Sequence, residues 1–79
     1  MSRDEALTII TGIFRSILDD DELLLGEDTK FEDIEGFDSI MQITLIGSVE
    51  SEFGKRFPLR EMAGLKNVQQ LIDIVTGDK

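Results

Sequence analysis

The chain contains no cysteine and no histidine among its 79 residues. Without cysteine there is no disulfide framework and no thiolate metal site, and without histidine the other usual zinc ligand is gone. The same absences exclude a serine triad, because a serine hydroxyl at neutral pH is a weak nucleophile that needs an adjacent base, usually imidazole. No apolar run approaches the length of a membrane span, and the polar start Ser2-Arg3-Asp4-Glu5 is unlike a signal peptide. These gaps lead us to expect one cytoplasmic domain over residues 1–79, a monomer, with no membrane contact. A core of this size supplies roughly 3–5 kcal/mol of net stability.

Positive charge is also scarce, and the formal net charge is -9. Residues 1–53 hold 14 acids and 3 bases (-11), whereas residues 54–79 hold 3 acids and 5 bases (+2). Such a balance argues against sequence-independent binding to nucleic acid or anionic lipid, and a basic protein would approach the N-terminal two-thirds. The late basic group Lys55, Arg56, Arg60 and Lys66 lacks interleaved aromatics and reads as solvated surface.

Helical periodicity dominates what is present, and strand signals are nearly absent. Ser2 and Glu5 make a capping-box pattern, after which Ala6, Ile9, Ile10, Ile13, Phe14 and Ile17 form one apolar stripe. That predicts a helix from Arg3 to Leu18. Within it, Gly12 lowers helix stability by about 1 kcal/mol and marks a close helix approach or a local defect. Residues 19–36 hold nine acids and two glycines without sustained periodicity, so they read as a long loop anchored by Leu23, Leu24, Leu25, Phe31 and Ile34. Asp38 is a good N-cap for a second helix, Ser39 to Phe53, with Ile40, Ile43, Leu45, Ile46, Val49 and Phe53 on a broad apolar face and Gly54 at its end. A short helix, Leu59 to Ala63, lies between Pro58 and Gly64. Asn67 and Gln70 then repeat the capping-box logic ahead of a last helix carrying Val68, Leu71, Ile72 and Val75 and closed by Gly77. The expected fold is therefore all-α: a small four-helix bundle of three longer helices and one short one, with a long first loop.

Few groups here can do chemistry. The run Asp19-Asp20-Asp21-Glu22 fails as a calcium loop, since its sixth and twelfth positions hold Leu24 and Lys30 rather than glycine and a bidentate glutamate. Paired carboxylates would need a shielded cleft, which a small bundle rarely has, so an enzyme is not expected. Asp38-Ser39 can be a plain cap pair. Equally, Ser39 would sit in the first turn, where free amides and the helix dipole favour an attached phosphate, making it something another enzyme modifies. Met62, Leu65 and Val68 read as ordinary core filling or as an adaptable lining that opens for a flexible guest.

In order, the helix, the acidic loop, Gly36-Phe37-Asp38-Ser39-Ile40, the second helix ending Glu50-Ser51-Glu52-Phe53, Phe57-Pro58 before the short helix, and Val68-Gln69 opening the last resemble the acyl carrier protein family over nearly the whole chain. The resemblance implies that Ser39 bears 4'-phosphopantetheine, attached by a phosphopantetheinyl transferase, whose thiol holds acyl intermediates as thioesters. It implies partners among acyl-loading and condensing or modifying enzymes of fatty acid, polyketide or related biosynthesis. Asp38, Glu50 and Glu52 would then lie near a docking surface around Ser39, with Met41 and Thr44 as uncharged contacts. A guest cavity would be lined by Ile43, Ile46, Val49, Met62, Leu65, Val68 and Leu71. Phe37 stands where fatty-acid carriers usually have a small alanine, and Met41, Thr44 and Ser51 replace common acids, which points toward specialised pathways. The competing expectation is a non-carrier acidic adaptor that uses Asp38-Ser39 only as a cap.

Overall fold

Local capping chemistry sets where each helix begins. The computed structural model describes residues 1–77, so Asp78 and Lys79, the end of the expected domain, lie outside the described residues. Helix α1 spans Arg3–Leu18; the Ser2 hydroxyl accepts from the Glu5 N–H at 3.1 Å, and the Glu5 carboxylate reaches back to accept from that hydroxyl at 3.2 Å. Helix α2 spans Ser39–Phe53, α3 spans Leu59–Ala63 and α4 spans Val68–Thr76, with a 3₁₀ turn over Phe31–Asp33 in the long loop. Among the described residues the architecture is helical throughout, with one isolated bridge between Lys30 and Asn67.

The loop after α1 is tied at many points. Asp19 ends α1 in the left-handed region (φ 53°), a conformation that a short polar side chain tolerates. The Arg15 guanidinium donates to the Leu23 carbonyl at 2.8 Å. Further on, Val68 N–H donates to the Thr29 carbonyl (3.0 Å), Gln69 N–H to the Glu27 carbonyl (2.8 Å), and Phe31 N–H to the Lys66 carbonyl (2.9 Å). With Gln70 N–H on the Asn67 side chain, the first amides of α4 are satisfied by the loop and the cap, not by water. The Gln70 side chain does not complete a capping box; it accepts from the Lys66 N–H at 2.8 Å. Arg3 closes this side by donating to Glu27 (2.6 Å) and Asp73 (2.7 Å), bonds that push its guanidinium pKa further up.

The core is one cluster drawn from α1, the 3₁₀ turn, α2, α3 and α4. Phe14, Phe31 and Phe37 form a triangle of tilted rings with centroids 5.3–5.7 Å apart, a preferred aromatic geometry. Phe37 is thus half-buried packing for the loop, which accounts for its bulk independently of any pathway.

Three expectations are corrected. Leu24 does not anchor the loop: it is 81% exposed, while Leu23 and Leu25 turn inward, because successive residues of an extended segment face opposite ways. Ile40 and Ile43 do not share the buried face of α2. They are 72% and 69% exposed, and Leu45, Ile46 and Val49 face the core instead. Gly12 marks no close approach, since a Cβ there would meet nothing within 4 Å. The same holds for Gly47 on α2, and the two glycines line an open groove of about 660 Å³ between α1 and α2.

Candidate functional site

The site forms where the acidic loop turns into α2. Gly36 adopts φ 84°, a region that an L side chain rarely enters, and the turn is closed by Phe37 N–H donating to the Ile34 carbonyl at 3.2 Å. Immediately after it, the Phe37 ring locks into the aromatic triangle. Asp38 follows in extended conformation, its carboxylate accepting from the Met41 N–H at 2.9 Å and its carbonyl from the Gln42 N–H at 2.9 Å. Ser39 is the first residue of α2 and is exposed. Among the described residues, no hydrogen bond ties its hydroxyl, and the Ser39 and Ile40 amides are left at the positive end of the helix. A phosphodiester on that oxygen would meet free donors and favourable polarity. The donor set therefore fits a phosphate-linked group.

Around Ser39 the expected docking residues are placed unequally. Thr44 and Glu52 are exposed and Met41 is half-buried. Glu50 is already engaged: its carboxylate accepts from the Phe57 N–H at 2.9 Å, so it secures the segment before α3. Sequence reasoning missed Ile40 and Ile43, the large exposed apolar residues next to Ser39. On a helical wheel they lie roughly 165° and 105° from the centre of the Leu45, Ile46, Val49 and Phe53 face, a face that the packing of α1 against α2 selects.

The structure gathers most of the expected cavity residues. Ile46, Val49, Met62, Val68 and Leu71 are all buried and belong to one cluster, with the half-buried Leu65 packed against it. Ile43 is separate from them, on the wall of the groove between α1 and α2. Beside Asp38 lies a second groove of about 590 Å³, walled by Phe31, Phe37, Gln42, Leu65 and Asn67. It opens next to the start of α2 and reaches the interior cluster at Leu65.

Comparison with known proteins agrees with this geometry. The family model described as "Phosphopantetheine attachment site" matches residues 8–75. The acyl carrier proteins of Myxococcus xanthus and Micrococcus luteus are each 29% identical over 76 residues, covering 96% of this chain and 96% and 94% of theirs. A solution structure of holo acyl carrier protein from Geobacter metallireducens superposes with a TM-score of 0.80 at 39% identity, over 90% of this chain and 82% of that one. The chain belongs to the phosphopantetheine-attachment family, and within it to the acyl carrier proteins. Its prosthetic group is 4'-phosphopantetheine, and the carrier reading stands over the adaptor. No helix among the described residues is long and apolar enough to cross a membrane.

Proposed function

We propose that Ser39 is the attachment point and that this 1–79 domain works as a cytoplasmic, monomeric carrier with no catalytic residues of its own. The observation that carries the assignment is an exposed, untethered hydroxyl at the first position of a capped helix, inside the matched segment. In the modification, the Ser39 oxygen forms a bond to the pantetheine-bearing phosphorus of the coenzyme A pyrophosphate as that phosphorus's bond to the bridging oxygen breaks. The adenosine bisphosphate half leaves, and the hydroxyl proton passes to a base on the transferase. The arm supplies a terminal thiol that holds acyl or related groups as thioesters. Asp38 fixes the helix start so that the attachment oxygen stays outward. Intact-mass measurement after incubation with coenzyme A and a broad-range phosphopantetheinyl transferase tests this. One adduct, lost in Ser39→Ala, is expected; unchanged mass with several transferases overturns it.

Partner enzymes dock on the exposed side of α2 around Ser39. Because Glu50 is spoken for by Phe57, the face relies on Ile40 and Ile43 with Met41 and Thr44, flanked by Asp38, Glu52 and the acidic loop. Charge then governs encounter rate, while the apolar pair governs residence. The acyl chain is sheltered among Ile46, Val49, Met62, Leu65, Val68 and Leu71, with the groove beside Asp38 as its way in. Each buried methylene contributes about 0.8 kcal/mol.

A further inference from the structure

Helix α3 has five residues, too few to satisfy its own terminal groups. Two side chains of α2 tie it, and the segment just before it, from outside. Glu50 accepts from the Phe57 N–H just ahead of Pro58, and the Gln42 amide donates to the Met62 and Ala63 carbonyls at 3.1 and 3.3 Å. Between those two ties, the Met62 side chain is fully buried in the interior cluster with Val49, Val68 and Leu71. Gln42 also walls the groove beside Asp38, one helical turn along the same face and next to Leu65. A guest that entered by this groove would have to pass between Gln42 and the end of α3 to reach the interior.

We propose that Gln42 is a specificity-determining residue, a latch that sets the shortest acyl chain able to pass beneath α3. This rests on the carrier reading of Ser39. Passage separates the Gln42 amide from both carbonyls; Met62 keeps the Leu65 N–H as a donor (3.3 Å), so the Gln42 tie itself is what is lost. A net intramolecular hydrogen bond is worth about as much as burying one or two methylenes. The latch therefore raises the threshold chain length by about two carbons. A hydroxyl on the cargo can donate to the released carbonyls, so hydroxyacyl groups pass at a shorter length than saturated ones.

The test uses holo protein loaded with saturated acyl chains from butanoyl to decanoyl, read by the Met62 and Leu65 methyl resonances and by amide exchange across α3. In the wild-type protein both observables change abruptly at one chain length. Gln42→Leu removes the donor, and Gln42→Glu removes it while keeping the side-chain volume, so the second variant serves if the first destabilises the fold. Both move the onset about two carbons shorter, and a hydroxyacyl series on the wild-type protein does the same. An onset identical in all three proteins overturns the latch, and so does the absence of any onset. Intact mass at Ser39 reports separately on the carrier reading, which survives either failure.

Discussion

The two sides of this molecule are held together by different kinds of bond. On the side of α1, the loop and α4, backbone pairs clip residues 27–31 to 66–69, Arg3 joins Glu27 and Asp73, and three phenylalanines pack ring against ring. On the side of α2 and α3, the short helix is held by its buried Met62 and by two polar side chains of α2, Glu50 and Gln42. Backbone bonds are indifferent to substitution, whereas side-chain ties are set residue by residue. The scaffold is thus fixed by chain path, and the element nearest the cargo is adjustable by single substitutions.

The largest effect should come from the first side. Phe14→Ala removes the ring at the centre of the aromatic triangle and should cost about 3–5 kcal/mol, comparable to the whole stability of so small a domain. Thermal melting followed by circular dichroism should show a protein largely unfolded already at room temperature, because the loss matches the whole net stability. On the second side, Glu50→Ala should lose only about 0.5–1.5 kcal/mol, with amide exchange quickening across residues 57–63 and not in α1. A uniform rise in exchange would erase the contrast. Ile43→Ser, on the exposed face of α2, should change stability by less than about 0.5 kcal/mol yet raise the KM of the transferase several-fold. An unchanged KM would remove the apolar pair from the docking surface. Last, and opposite in sign, Gly12→Ala should stabilise by up to about 1 kcal/mol, because its new Cβ meets nothing within 4 Å. Destabilisation there would mean that α1 and α2 draw closer in solution.

Helix limits were legible because Ser2, Asp38, Asn67 and Gly54 act through bonds to neighbours a few residues away. The attachment serine was legible for the same reason, since a cap and the residue after it are local. Orientation was not. Helix α2 is apolar on several sides, so periodicity alone did not tell Ile43 from Ile46; the packing of α1 against α2 does. Glu50 looked like a free surface acid because its partner, the Phe57 amide, is a backbone group with no sequence signature. The packing of Phe37 against Phe14 and Phe31 is a tertiary contact that no local pattern announces.

The clip between loop and α4 also has a kinetic consequence. It pairs the Glu27 and Thr29 carbonyls with the Gln69 and Val68 amides, and Phe31 N–H with the Lys66 carbonyl, each pair roughly forty residues apart, whereas the other backbone bonds among the described residues are local. During folding, α1 and α2 can form early, but the start of α4 is complete only after that long loop closes, an entropic step. Once closed, it encircles α2 and α3 with both ends pinned. The short helix can therefore swing outward many times without loosening the chain on either side, as a door moves in a frame that was the last thing built.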